Sequence, residues 1–378
     1  MKIVIDARLY GLENAGLGRY VMNLVDELKK HDGKNHYTIL LREKYFNELS
    51  FPGDWKKVLA EYQHYSLGEQ LVLPWILYKE KPDLVHFPHF NVPLLYFGRF
   101  VVTIHDLLMH KFTKNETTTL PFPLFFFKRV GYKLSFFKAV RSSRAIVTPS
   151  KAVKDDIVTE YRVPGSKISV TYEGVDKKFT QYSKQARKVL DKYNIDGSYL
   201  IYAGNAYPHK NLSLAIKAIV NFNKDAEKKL CFVITTSRGV FLDRLKKEIG
   251  NLGAQGFVKI IGFVPDEDLG VLYNNALAFI YPSLSEGFGL QGLEVMDSGS
   301  LLLASDIPVF REIYDDIPIY FDPRNVESIV EGIGKVVEMN QGKRKQLIKH
   351  SQSFVARYSW QKMARETLTV YESSVSPP

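Results

Sequence analysis

The sequence predicts an α/β protein made of two doubly wound domains that face each other across a cleft. Short apolar runs of strand length alternate with amphipathic stretches of helical length along all 378 residues, the rhythm of βα units and parallel sheets. The second half repeats that rhythm as a second series. Glycine-bearing loops follow several strand candidates, the place where open α/β sheets hold their ligands.

In the first half the strand candidates are Lys2–Asp6, His36–Leu41, Asp83–Phe87, Val101–His105 and Ala145–Pro149. Helical patterns lie between them at about 18–30, 67–78, 122–141 and 152–161. An Ile168–Tyr172 run leads into Glu173-Gly174-Val175-Asp176, read as a linker. In the second half the strands are expected at 199–203, 230–235, 258–261, 278–281, 301–304 and 319–321. Helices are expected from Leu212, Phe241, Glu267, Leu290, Val326 and Lys343 onward, and a last one runs from about Trp360 to Ser373. The expected domains are 1–173 and 174–357.

Composition narrows the function classes. Apolar residues make up 45% of the chain and charged residues 24%, a balance that argues for a packed globule and against disorder. A single cysteine, Cys231, leaves no intramolecular disulfide framework and fits a reducing compartment. The apolar run at Ile3–Ile5 is too short for a signal-peptide core, and no stretch has the length of a membrane span. A cytoplasmic protein is expected, peripheral at the inner face of the membrane if it meets one. The net charge of +10 is uneven: residues 1–180 hold 27 basic and 19 acidic side chains, and the rest hold 24 and 22. Leu107–Lys154 carries ten basic residues and one acid, Glu116, which implies an anionic partner or surface.

Five segments are candidate sites. In the first, the strand ending at Tyr281 leads through Glu286, Gly287, Phe288 and Gly289 to a helix at Leu290, with Glu294 about one turn inside it. Glycines there let backbone approach a ligand, and the helix N-terminus suits a diphosphate. The plain alternative is a glycine turn before a helix-start glutamate. The second is Gly204-Asn205-Ala206-Tyr207-Pro208-His209-Lys210-Asn211, where Lys210 suits a diphosphate counter-charge; the alternative is an exposed lysine, poorly placed for the helix dipole. The third is Gly16-Leu17-Gly18 after the first strand. Val21 stands where a dinucleotide fingerprint needs its third glycine, so an ordinary βα turn stays open.

His105 and Asp106 are the fourth candidate, at the end of a strand; a histidine that bonds only locally is the alternative. His86 and His89 form a His-x-x-His pair on a proline-containing loop with no carboxylate or cysteine cluster, so no metal site is expected. The fifth is the aromatic and basic stretch Leu120–Lys138, read either as a surface for an anionic membrane or as a buried helix with a solvated basic face.

Together these segments resemble the retaining glycosyltransferases of the GT-B fold, the group 1 set known as glycosyltransferase family 4. The likeness runs along essentially the whole chain. It takes in Gly16–Gly18, His105-Asp106, Val147–Ser150, the Glu173–Asp176 linker, the Lys210 loop, Gly262–Leu269 and the Glu286–Glu294 pair with its seven-residue spacing. It implies a GT-B architecture whose last helix, about 358–376, crosses back to the first domain. It also implies metal-independent transfer of a hexose of mannose or glucose type, with retention. The donor would be a GDP- or UDP-sugar and the acceptor a glycan or lipid-linked molecule, with no cofactor and no nucleic acid.

By the same resemblance His105, Glu286 and Lys210 are catalytic. Gly16, Gly18, Asn205, Lys210, Val264, Glu286, Gly287, Phe288, Gly289, Leu290 and Glu294 hold the donor. Asp106 and His86 lie on the acceptor side, and residues 107–154 offer a membrane contact. Two positions depart from the family pattern. Asn205 stands where arginine is common, which removes one cation from the diphosphate site. Gln291 stands where proline is common. The Gly-Asn-x-x-Pro-His-Lys-Asn loop is similar to that of a subgroup that includes mannosyltransferases. Rival readings are a nucleotide-sugar epimerase or hydrolase of the same fold and a dinucleotide-dependent oxidoreductase.

Overall fold

A computed structural model describes residues 1–64, 66–111, 122–175, 186–236 and 239–375, without the side chains of 122–127 and 239–240. The chain forms two compact units. One comprises 1–107, 120–174 and 358–378, and the other comprises 108–119 and 175–357.

The first unit is built on the strands β1 (Lys2–Asp6), β2 (His36–Leu41), β3 (Lys56–Leu59), β4 (Leu84–Phe87), β5 (Phe100–Thr103), β6 (Ala145–Thr148) and β7 (Ile168–Val170). They form one parallel sheet in the order β3-β2-β1-β4-β5-β6-β7. Its principal helices are α1 (Ala15–His31), α2 (Glu43–Glu48), α3 (Leu67–Glu80), α4 (Leu108–Lys111), α5 (Phe122–Ser142) and α6 (Lys151–Tyr161), although α4 falls in the stretch grouped with the second unit.

The second unit holds α7 (Ala186–Lys192), β8 (Tyr199–Ala203), α8 (Leu212–Asp225), β9 (Cys231–Thr235), α9 (Gly239–Asn251), β10 (Val258–Ile260), α10 (Asp266–Asn275) and β11 (Ala278–Tyr281). It continues with α11 (Leu290–Asp297), β12 (Leu302–Ser305), α12 (Pro308–Tyr314), β13 (Ile319–Phe321), α13 (Val326–Val337) and α14 (Gln341–Val355). Its sheet is parallel in the order β10-β9-β8-β11-β12-β13. α15 (Trp360–Val375) belongs to the first unit and packs on α1.

In both sheets the central strands are apolar on both faces, as strands sandwiched between helices must be. β4, β5, β8, β11 and β12 are buried along their whole length. The return of α15 is sealed by a buried relay. Tyr371 Oη lies 2.6 Å from His86 Nδ1, and His86 Nε2 lies 2.8 Å from Thr103 Oγ1. Thr103 Oγ1 in turn lies 3.1 Å from Tyr20 Oη.

Three expectations change. His86 lies within a strand, has no exposed surface and bonds through both ring nitrogens, so it joins the sheet to α15 and is no acceptor-side group. Burial holds it neutral, with its pKa lowered to about 3. The run at 168–172 contributes a true edge strand, β7, and another edge strand, β3, sits where no strand was read. β3 has the burial pattern of an exposed edge, and its Lys-Lys start hides it from an apolar-run reading. Finally, α12 fills a gap between two expected strands for which no helix start was named. Of the aromatic stretch, Leu120, Pro121 and the side chains of 122–127 lie outside the described residues, as does Asp176 of the linker.

Candidate active site

Strand order reverses between β8 and β11 in the second unit and between β1 and β4 in the first. Loops leaving the carboxyl ends of such strands diverge and leave a crevice for ligands. The Lys210 loop follows β8 and the Glu286 loop follows β11, so both stand at the reversal point.

The two loops are locked together. Leu284 N donates to His209 O at 2.8 Å. Asn211, in the left-handed region with φ 56°, donates through Nδ2 to Pro282 O at 3.1 Å and Pro323 O at 2.7 Å. Lys210 is thereby carried over the Tyr281 ring, 5.8 Å from its centroid. Its Nζ reaches Glu286 Oε1 at 2.6 Å, and Ser283 Oγ donates to the same oxygen at 2.6 Å. Both side chains are largely buried, the glutamate 9% exposed. Burial alone would raise the Glu286 carboxyl, but the adjacent Lys210 ammonium and the hydrogen bonds outweigh it and hold it below its usual range. His209 is pushed down to about 4 by burial and by Lys210, so it is neutral near pH 7.

The Glu286 loop ends at Gly289, whose φ of 91° opens α11. A side chain there would be strained, and a Cβ on Gly289 or Gly292 would collide with the Tyr314 ring and hydroxyl. Tyr314, from α12, donates its hydroxyl to Gly289 O. It fixes the turn from which α11 starts. Phe288 is buried and anchors the loop; Glu294 is buried one turn into α11. Val264 is also buried, which leaves its backbone for any ligand, and the neighbouring Phe263 is exposed. Asn205 O accepts from Tyr202 Oη at 2.9 Å, and the Gln291 amide lies beside the Gly204 turn. Lys210, Glu286, Gly287, Phe288, Gly289, Leu290 and Glu294 thus converge on one strand-end region.

In the first unit His105 lies two residues past β5. Its Nε2 donates to Pro88 O at 3.1 Å, which places a proton on that nitrogen, and Nδ1 stands 3.4 Å from Glu173 Oε1. Tyr20 packs edge-on at 4.6 Å. The ring is held from three sides and keeps a small exposed edge, and Asp106 beside it is half-buried.

Gly16 and Gly18 lie inside the first turn of α1. They divide in role. A Cβ on Gly18 would overlap the Gly11 carbonyl, so this glycine serves the fold of the β1–α1 connection; a Cβ on Gly16 would meet open space.

One cluster in this unit escapes a reading of the sequence. Past the end of β1, Arg8 is fully buried. Its Nε donates to Asp6 Oδ1 at 2.7 Å, and Nη2 lies 2.6 Å from Asp6 Oδ2 and 2.8 Å from Glu69 Oε1. Glu69 Oε2 accepts from Asn91 Nδ2 at 2.5 Å. Burial raises Asp6, but Arg8 reverses this and holds it ionised. His64, lowered to about 4 by burial and by Arg8, completes the group. Charged residues directly after a buried strand were the available signal; the partner Glu69 is 61 residues away.

Comparison with known proteins gives this geometry a family. The family model described as "Glycosyltransferase Family 4" matches residues 15–179, and "Glycosyl transferases group 1" matches residues 185–354. The chain is 27% identical to the O-antigen chain mannosyltransferase RfbU of Salmonella typhimurium over 281 residues, 74% of this chain and 70% of that protein. It is 25% identical to O-antigen chain mannosyltransferase B of Escherichia coli over 390 residues, 98% of this chain and 100% of that protein. Among solved structures, Anabaena HepE in complex with UDP and glucose superposes with a TM-score of 0.75 at 15% identity, covering 99% of this chain and 100% of that one. The fold is therefore that of the GT-B proteins, and the chain belongs to the group 1, family 4 glycosyltransferases.

Proposed function

We propose that the protein transfers a hexose, of mannose type, from a nucleotide-diphosphate sugar to a glycan or lipid-linked acceptor, with retention at the anomeric carbon and without a metal. The observation that carries this reading is the Lys210–Glu286 pair at the β8–β11 reversal point, beside the start of α11. It supplies a buried cation and helix amides on one side, and a carboxylate kept ionised on the other. The mannosyl choice rests on the similarity to the two O-antigen mannosyltransferases and on the Gly204–Asn211 loop.

The difficult event is cleavage of the sugar–phosphate bond, in which negative charge grows on the leaving diphosphate. Lys210 and the first-turn amides of α11 meet that charge. Arrival of the diphosphate redirects Lys210 Nζ from Glu286 toward phosphate oxygen, and Glu286 turns to the sugar hydroxyls. Glu294, one turn down α11, is assigned to the ribose. His105, with its tautomer fixed by Pro88 O, is assigned a role toward the transferred sugar. The diphosphate oxygen released in the step takes the acceptor hydroxyl proton.

The test is product analysis with GDP-mannose and UDP-glucose, with and without acceptor glycans, reading anomeric configuration by NMR. Acceptor-dependent formation of an α-linked product supports the reading. Turnover of donor alone at the same rate points to a hydrolase or epimerase.

A further inference from the structure

The first unit carries an apolar face that its core does not use. α3 buries Leu73, Ile76 and Leu77 in the same cluster as Tyr132, Phe136, Ala139 and Val140 of α5, so the two helices share one layer on one side of the sheet. Their outer sides remain apolar. On α3, Leu67, Leu71, Trp75 and Tyr78 are all exposed, Leu67 by 81% and Trp75 by 61%. At 3.6 residues per turn these four fall within about 80° of arc, a single stripe. On α5, Val130, Leu134 and Phe137 form a second stripe.

The segment 93–98 joins them. Phe97 is 78% exposed, and its N donates to Tyr78 Oη at 2.9 Å. Lys138 of α5 donates to Leu94 O at 2.5 Å and stands 4.2 Å from the Phe97 ring centroid. The surface is therefore continuous from α3 through Phe97 to α5.

Its charge names its partner. Lys79, Lys138 and Arg141 stand directly on this apolar face, over Trp75, Phe97 and Phe137, and the same segments of the chain also carry Lys81, Arg99, Lys128, Arg129 and Lys133. Among the described residues of 67–142 the acids are Glu69, buried on Arg8; Glu80, paired with Lys56; Asp83; and Asp106, half-buried beside His105. Lys79 Nζ lies 5.3 Å from the Trp75 ring centroid and Arg141 Cζ 5.7 Å from that of Phe137, so the cationic heads sit on the aromatic surface itself. Aromatic and aliphatic side chains with cations packed on them, in segments almost free of exposed acids, match an anionic lipid surface: the rings enter the interface and the cations meet headgroups. A second copy of the chain would bring the same positive charge to the contact.

We propose that α3, the 93–98 segment and the outer side of α5 together dock this protein on an anionic lipid bilayer, with Trp75 and Phe97 as the inserting side chains. The inference does not depend on the proposed reaction.

Trp75 makes the test direct. Of the three tryptophans in the chain, Trp55 and Trp360 are buried. The full chain is titrated with vesicles of phosphatidylcholine alone and of phosphatidylcholine mixed with phosphatidylglycerol. Expected are a blue shift of tryptophan emission with the anionic vesicles, quenching by lipids brominated in the acyl chain, and reversal by salt. Leu71→Glu and Phe97→Glu, at exposed positions, should abolish binding and leave the melting temperature unchanged. Lys79→Ser with Lys133→Ser should weaken it on the order of tenfold. No blue shift, or equal binding to both vesicle types, overturns the proposal. A concentration-dependent shift without lipid, with dimers in sedimentation, also overturns it and makes this face a contact between copies.

Discussion

Removing the cation from the Lys210–Glu286 pair should destabilise the second unit and reverse the way that carboxyl responds to pH. In Lys210→Met the carboxylate stays buried and keeps Ser283 as a donor, but loses the ammonium 2.6 Å away. Breaking a buried pair from one side costs roughly 3–5 kcal/mol. In the wild type the Glu286 carboxyl lies below its unfolded value. Its contribution is therefore complete above the unfolded range and is lost only as pH falls through the folded value. Without Lys210, burial outweighs the Ser283 hydrogen bond that remains, and the folded carboxyl rises above the unfolded one. The folded variant then takes up a proton before the unfolded chain does. Its deficit relative to wild type should shrink as pH falls from 7.5 toward 5, by up to about 1.4 kcal/mol per pH unit. Urea unfolding at several pH values, following the transition of the second unit, gives the deficit. Lys210→Met with Glu286→Gln, which leaves no buried charge, should recover most of the loss. A Lys210→Met variant as stable as wild type at pH 7.5, or a deficit that grows on acidification, would refute this role for Lys210.

Other contacts make outcomes of their own testable. Tyr371→Phe removes the partner of His86 Nδ1 inside the first unit and should cost about 1–3 kcal/mol, read by thermal unfolding. Gly18→Ala should destabilise the first unit through the overlap with the Gly11 carbonyl, whereas Gly16→Ala should fold normally; equal melting temperatures would contradict that division. Gly289→Ala, strained at φ 91° and against Tyr314, should destabilise the second unit by about 1–3 kcal/mol. His64 and His86 are held down to about 4 and about 3 in the fold. The unfolded chain takes their protons first, so the first unit should lose about 1.4 kcal/mol per pH unit for each histidine between about pH 6.5 and 4. His86→Gln should flatten that slope.

Much of the fold was legible because parallel strands buried on both faces are read as continuous apolar runs. The elements that escaped have local reasons. β3 begins Lys-Lys, and α12 is short and enters through Pro308. For the site, residue types were visible and their partnerships were not. Lys210 and Glu286 each looked like a ligand group in its own loop, but their pairing spans 76 residues. Gly18 looked like a ligand-approach glycine, and the need it meets is the return of Gly11 onto the same turn. His86 offered the same type of signal as His105; only strand register tells that its ring points into the core toward Tyr371. The membrane-like character was read in the aromatic run of α5, while the exposed stripe on α3 was hidden because that helix is apolar on its buried side as well.

On the proposed reading, the Lys210–Glu286 pair beside α11 receives the diphosphate of a nucleotide sugar. Calorimetric titration of GDP, UDP and GDP-mannose into wild type, Lys210→Met and Glu286→Gln tests it most directly. Wild type should bind a nucleoside diphosphate, Lys210→Met should lose about tenfold or more of that affinity, and Glu286→Gln should weaken only the sugar-bearing ligand. Equal diphosphate affinity in wild type and Lys210→Met would contradict it.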